Sequence, residues 1–351
     1  MCDSSDPSPL SYLRQRLRAI DIGSKSVSQL LNEMADTGFQ GRRLGEIVDV
    51  WSDMLSGRDV VIMLGYAGSM STTGQWKIIK WLIERRFIDV LVSTGANVSE
   101  DILDAMGYGY WKGSPNVNDW ELRKMRILRF YDVFALERDY IEIEKKIAQF
   151  MMDLEIDRPI SSAEFLHLFG RWLDGRKIDG IVTSAWRAKV PVFVPAIVDS
   201  GYGMAYLYMR YHRPERKLLI DQFKDFEQLV RIKSRFSKSG VIYLGGGVPK
   251  DFIQLSAVAV DTLEGGDLTT VRPHNYAIQI TTDSPHWGGL SGASFEEAES
   301  WGKESPEGRN VQCSCDITIA LPLVVHALAE RVKTRESVPD LSWVFKDVAE
   351  L

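Results

Sequence analysis

The spacing of apolar residues changes along the chain. Up to residue 55 they recur every three or four positions, with Leu30, Leu31, Met34, Leu44, Ile47, Val48, Trp51 and Leu55 on the repeat. That spacing predicts two amphipathic helices between residues 10 and 55, the face of a cap or an interface. From residue 59 onward, short continuous apolar runs alternate with helix-period segments. Residues 59–65 (DVVIMLG), 88–93, 190–196, 218–221, 240–244, 276–280 and 311–315 read as strands. Unbroken apolar runs of this length suit strands buried on both faces. Helices are predicted over 75–86, from 99, over 139–154, 162–173 and 223–236, from 249, and over 318–333. Pro249 suits a first helical turn, and Ser162 opens a cap-like stretch. Residues 105–125, rich in Gly, Tyr and Trp, read as one long ordered loop. Residues 264–273 read as a polar loop, and 1–10 as a loose segment.

Strand and helix in alternation imply βαβ units and a parallel sheet. The fold class expected is α/β, with a doubly wound, mostly parallel Rossmann-like sheet. Residues 1–57 form an N-terminal helical extension and 58–351 the main domain. Ligands of such sheets bind outside the carboxyl ends of the strands. Thr94, Asp199, Gly245 to Gly247, Thr282 and Asp316 all fall at such ends. Each alone is more often a turn or cap residue than a ligand group, but together they suit a nicotinamide dinucleotide: an acid for ribose hydroxyls, glycines against pyrophosphate, threonines as donors. The turn YAGSMSTTG after residue 65 is either an ordinary βα turn or an anion cradle. It matches neither of the glycine-rich nucleotide signatures.

Composition narrows the class. The chain has 351 residues, 45% hydrophobic and 26% charged, which suits an ordinary globular protein. A net charge of -6 gives no reason to expect nucleic acid as a partner. No stretch approaches the ~20 apolar residues of a membrane span, so the expected location is cytoplasmic and no membrane partner is expected. Cys313 and Cys315 sit one residue apart in a strand, with Cys2 as the third cysteine. They point to a reduced interior, with neither a disulfide framework nor a metal site.

The candidate chemistry lies at 291–316, SGASFEEAESWGKESPEGRNVQCSCD. Lys303 follows Trp301 and the carboxylates Glu296, Glu297 and Glu299. A lysine amine attacks an imine or carbonyl carbon when part of it is neutral, and desolvation beside a ring favours the neutral form. Most lysines are solvated surface charges. The expectation is that the strand ends converge on this one.

LVSTGANVSEDIL, PVFVPAIVDSGYG, VIYLGGGVPKDFI and SGASFEEAESWGK, followed by a strand ending in Asp316, resemble deoxyhypusine synthase and its relative homospermidine synthase. The likeness runs from about residue 34 to about residue 325. It implies a homotetramer binding NAD between subunits. The implied reaction takes an aminobutyl group from spermidine or a related amine, holds it as an imine on the active lysine, and passes it to an acceptor amine. By motif position Lys303 corresponds to that lysine, and Trp301 and Glu297 to the aromatic and acidic wall of the amine pocket. Ser69, Met70, Ser71, Thr72, Thr94, Gly95, Ala96, Glu100, Asp199, Gly246, Thr282, Asp283, Asp316 and Ile317 correspond to positions lining NAD.

The chain also departs from the family. Met204 stands where the family has an aspartate, Asp251 where it has a histidine, and Trp287 and Leu290 where it has acids. Gly68-Ser69 replaces Ser-Asn in the cofactor loop. Methionine and leucine cannot pair with ammonium, whereas Asp251, Asp283 and Glu297 can, and Trp287 offers a cation–π face. The expectation is retained transfer chemistry in a remodelled amine pocket. The alternatives are a non-catalytic relative that binds NAD or an amine, and an ordinary deoxyhypusine or homospermidine synthase.

Overall fold

The structure, a computed structural model, describes residue 13, residues 15–264 and residues 272–348. The readings of 1–10 and of most of 264–273 fall outside the described residues. The strands are β1 (Val60–Tyr66), β2 (Val90–Ser93), β3 (Trp111–Lys112), β4 (Ile127–Phe130), β5 (Val133–Leu136), β6 (Val192–Phe193), β7 (Lys238–Leu244), β8 (His274–Thr281) and β9 (Glu304–Ser314). The first helices are α1 (Val27–Ala35), α2 (Phe39–Ser56), α3 (Trp76–Glu84), α4 (Asn97–Ala105), α5 (Asp119–Lys124), α6 (Glu137–Asp153) and α7 (Ser162–Asp174). They are followed by α8 (Ile181–Ala188), α9 (Gly201–His212), α10 (Gln222–Ser234), α11 (Gly247–Glu264), α12 (Phe295–Glu299) and α13 (Ile317–Arg331).

Six strands make one sheet in the order β6–β2–β1–β7–β8–β9, and every pair is parallel. All seven residues of β1 are buried, as the uninterrupted apolar run requires. The chain runs outward from β1 through β2 to β6, then returns to β7 and runs out the other way to β9. The direction reverses between β1 and β7, so the turns after those two strands flank the crevice where such sheets take ligands. A buried ion pair secures the sheet's amino end. Arg335 Nη1 lies 2.8 Å from Asp89 Oδ1, both side chains are wholly buried, and Arg335 Nη2 donates to the Val60 carbonyl at 2.7 Å.

Several elements differ from the sequence reading. Helix begins at Val27 rather than near Leu10, because Ser26 and Gln29 form a reciprocal capping box; residues 15–26 carry no helix. The stripe Leu44, Ile47, Val48, Trp51 and Leu55 is buried on α2, which packs on α13, β8 and β9. The 105–125 stretch is not one loop. It contains β3 and α5, and β3 joins β4 and β5 in a small antiparallel sheet. Asn118 caps α5, its Oδ1 accepting from Trp120 N at 3.0 Å and Glu121 N at 3.3 Å. The β4–β5 turn is only Tyr131-Asp132, with Tyr131 at φ 54°, and lacks the Asn-Gly signal that marks such turns in sequence. Of 190–196 only Val192–Phe193 pairs, since Pro191 and Pro195 cannot donate to a ladder. Residues 218–221 form a single bridge, Ile160 with Ile220. Helices α8 and α9 were not foreseen.

Candidate active site

The turns after β1, β7, β8 and β9 enclose a cleft of about 360 Å³ lined by 67–70, 245–247, 281–283, Ser291 and 315–318. Gly245 and Gly247 have φ of 77° and 58°, which only glycine adopts without strain. Gly246 serves a different need: a Cβ there would lie 2.4 Å from Ser291 Cα, so this glycine admits the 284–293 loop. Asp316 caps α13, its Oδ1 accepting from Thr318 N at 2.8 Å, and is exposed, as are Ser69, Thr282 and Asp283. Ile317 packs beside Gly245, and Met70 is buried. A second space of about 890 Å³ adjoins the cleft, sharing Ser69, Asp316 and Thr318 and bounded by Tyr110, Trp111 and Phe130.

Two predicted donors are already engaged. Ser71 Oγ donates to the Asn97 carbonyl at 2.6 Å, and Thr72 Oγ1 to the Ser69 carbonyl at 2.8 Å. The residue that ties these turns together is Asn97, to which the sequence reading gave no role. Its Nδ2 donates to the Gly68 carbonyl at 2.7 Å and to Thr94 Oγ1 at 3.1 Å. Gly95 is needed because a Cβ would lie 2.4 Å from Ser200 Oγ, and Ala96 opens α4. Glu100 is largely buried beside Tyr140, and burial pushes its carboxyl up to about 7.

Asp199 is exposed at the turn before α9, and Met204 is 54% exposed on that helix. Both follow β6, the sheet edge opposite β9. Five strand steps separate those edges, about 24 Å at ~4.8 Å per step. Asp199 and Met204 therefore do not share one pocket with Asp316 or Lys303 within a single chain.

Lys303 does not sit where the strand ends converge, as the sequence reading expected. It precedes β9, and Asp316 follows that strand, with eleven residues of β9 between them. The amine is reached from the side by α11: Nζ lies 2.9 Å from Asp251 Oδ1, and the lysine side chain is 10% exposed. Nζ stands 5.5 Å from the Trp301 ring centroid, a cation–π distance. Ser294 caps α12, and Gly302, at φ 70°, turns the chain from Trp301 into Lys303. That accounts for the glycine of SWGK. Glu297 is exposed on α12, and Trp287 is 82% exposed.

Beneath Lys303 lies a polar group that the sequence reading missed. Lys250 is wholly buried and donates to Gln279 Oε1 at 3.0 Å, the Leu290 carbonyl at 3.2 Å and the Ala293 carbonyl at 2.9 Å. Burial pushes its ammonium down to about 8. Glu304, also wholly buried, accepts from Gln254 Nε2 at 2.8 Å and from Tyr243 Oη at 3.2 Å. Ser291 Oγ accepts from Gly247 N at 2.9 Å, and Gln279 Nε2 donates to the Gly245 and Ser291 carbonyls, each at 2.8 Å. The 284–293 loop thus joins the cleft to the lysines. Lys250 closes the motif LGGGVPK and Glu304 directly follows Lys303, but nothing in their spacing announces burial. Among the described residues, no group of three or more His, Cys, Asp or Glu is placed to hold a metal, and no helix is long and apolar enough to cross a membrane.

Residues 29–328 match the family model described as deoxyhypusine synthase. The chain belongs to the deoxyhypusine synthase family. It is 45% identical over 328 residues to "Probable deoxyhypusine synthase 2" of Methanosarcina mazei, covering 92% of this chain and 93% of that one. It is 47% identical over 295 residues to the protein of the same name from Archaeoglobus fulgidus, covering 84% and 95%. A "Deoxyhypusine synthase-like protein" of Chlorobaculum tepidum is 34% identical, covering 89% of each chain. Among solved structures, an Entamoeba histolytica protein assigned as a deoxyhypusine synthase superposes with a TM-score of 0.65 at 18% identity, covering 92% of this chain and all of that one, and supports the fold. Membership of the deoxyhypusine synthase family supports a transferase of the general aminobutyl-transfer class.

Proposed function

We propose that the chain is an NAD-dependent transferase that moves an aminobutyl or related alkylamine group from spermidine or a related amine to an acceptor amine, through an imine on Lys303. The observation that carries this reading is the state of Lys303: nearly buried, 2.9 Å from Asp251 Oδ1 and facing the Trp301 ring. Asp251 Oδ1 is the atom in contact that can take the proton the amine loses before it attacks. Trp301 and Glu297 form the open wall by which a cationic amine enters.

The strand-end cleft and its neighbouring space, about 360 and 890 Å³, have the size of small-molecule sites. The exposed Ser69, Thr282, Asp283 and Asp316 supply polar groups there, so the residues present fit NAD. When bound, NAD would take hydride from the donor amine and return it to the product. Asp199 and Met204 lie too far across the sheet to complete this site in one chain. One site that includes them needs a second copy, whose β6 side faces the first copy's β9 side, in keeping with the homotetramer that the family resemblance implies. The main unit begins at residue 58, with α1 and α2 in the extension before it, and the location is cytoplasmic.

The donor pocket is remodelled. Asp251 is engaged by Lys303, Met204 is apolar and Leu290 presents a carbonyl to Lys250, so charge for a polycation is reduced. A donor with different charge spacing from spermidine is the better fit. The acceptor is a protein lysine or a small amine. The deciding experiment incubates the protein with NAD and a panel of amines, traps with borohydride and reads products by mass spectrometry. Wild type becomes labelled at Lys303. Absence of both label and product with every amine would favour a non-catalytic binding protein, and spermidine as best donor an ordinary synthase.

A further inference from the structure

We propose that Glu304 is a positioning residue for Lys303: its buried carboxylate, held by Gln254 and Tyr243, sets the charge carried by the two neighbouring lysines, Lys250 and Lys303. The inference rests on Lys303 being the reacting amine.

Glu304 is wholly buried, and only one of its oxygens is bonded. Oε2 has neither a hydrogen-bond partner nor contact with solvent. A carboxylate left in that state is unfavourable unless positive charge lies close by. The matching anomaly is Lys250, whose buried amine touches three neutral oxygens and no carboxylate. Gln254, which holds Glu304, lies four residues from Lys250 and three from Asp251 on α11, so all three share one side of the helix. The charged and titratable groups around Glu304 are Tyr243 from β7, Lys250 and Asp251 from α11, His274 from β8, Lys303 itself and, through Lys250, Glu297 from α12. His274 is kept neutral by burial, with its Nδ1 2.9 Å from Ser239 Oγ. Burial also pushes the Glu304 carboxyl up, and the two lysines oppose that.

The groups therefore form two cations and two anions: Lys250 and Lys303, Glu304 and Asp251. With Glu304 ionised, both lysines are offset. With its charge removed, Asp251 is the one carboxylate left to offset two ammonium groups, and loss of the proton from Lys303 is favoured. The glutamate thus sets the fraction of Lys303 that is a free amine without touching the substrate.

The test is trace acylation of Lys303 with acetic anhydride across the alkaline range, read by peptide mass spectrometry on the full chain. Glu304→Gln keeps the shape and an acceptor for Gln254 and Tyr243. It is expected to move the Lys303 labelling midpoint down by about one pH unit. Glu304→Asp, which keeps the charge, stays closer to wild type, and the pH limb of kcat follows the labelling while KM for the amine changes little. Lys250→Gln keeps donors for the carbonyls, removes the competing cation, and is expected to move the midpoint up. A midpoint unmoved in either folded variant overturns the proposal, and if one variant fails to fold the other decides. Because acylation reads the amine itself, this result is separate from whether Lys303 carries the transfer, which Lys303→Arg decides.

Discussion

The strand-end cleft and the polar cluster around the two lysines share α11 and the 284–293 loop, yet they are organised differently. The cleft is made of backbone turns, with the polar side chains Ser69, Thr282, Asp283 and Asp316 exposed. In the lysine cluster, Lys250, Glu304, Gln254 and Gln279 are wholly or almost wholly buried and bonded to protein. A cleft with exposed donors and acceptors suits an exchangeable ligand. A buried polar network suits a fixed charge pattern, because reorganisation there costs more than in water.

The largest effect separates the two regions outright. Lys303→Arg should abolish transfer and borohydride labelling while leaving NAD affinity unchanged, since arginine stays protonated and forms no imine. Substantial product from the arginine protein would remove Lys303 from the mechanism.

Stability against pH shows how far burial alone reaches outside both regions. Burial raises Asp101 and Asp225, as well as Glu100, to about 7. Each is raised above its unfolded value, so its contribution is fully present below about pH 4 and is lost as pH rises towards 7. The unfolding free energy from urea denaturation should fall over that window, by up to about 1.4 kcal/mol per pH unit for each group. Asp101→Asn should flatten the slope, and an unchanged slope would contradict the burial of this carboxyl.

Lys250→Met asks whether the network holds the loop. Three carbonyl oxygens lose their donor, and relief of the buried ammonium offsets part of that, for a net loss of about 2–3 kcal/mol in urea denaturation. Wild-type stability between Lys250's folded value of about 8 and its unfolded value near 10.5 should rise with pH, and the methionine variant should lack that rise.

At the proposed cofactor and donor positions the effects are smaller. Asp316→Ala and Asp199→Ala should each weaken NAD binding by about 1–3 kcal/mol in calorimetry, with labelling of Lys303 retained. Unaltered affinity in both would place the cofactor elsewhere. Met204→Asp with Leu290→Asp should raise activity on spermidine about tenfold, about 1.4 kcal/mol.

Much of the fold was legible because burial on both faces leaves unbroken apolar runs, and β1, β2, β7 and β8 follow from theirs. The small β3–β4–β5 sheet was not, since its strands are two to four residues long and half exposed, and its turn lacks glycine. The Trp301–Lys303 contact was legible because the two residues are nearly adjacent in sequence. Lys250, Glu304 and Asn97 were not, because their roles depend on contacts between segments distant in sequence.

By itself the sequence determined the α/β class, the strand-end turns and the family, all of which depend on local pattern or contiguous motif. Tertiary structure decided the order of the strands, and with it that Asp199 and Met204 lie across the sheet from Asp316. It also decided that Asp251 faces Lys303 and that a lysine and a glutamate are buried beneath it. Local spacing specifies which face of an element is apolar. Which faces meet, and which charges lose their water in meeting, depends on long-range packing of the whole chain.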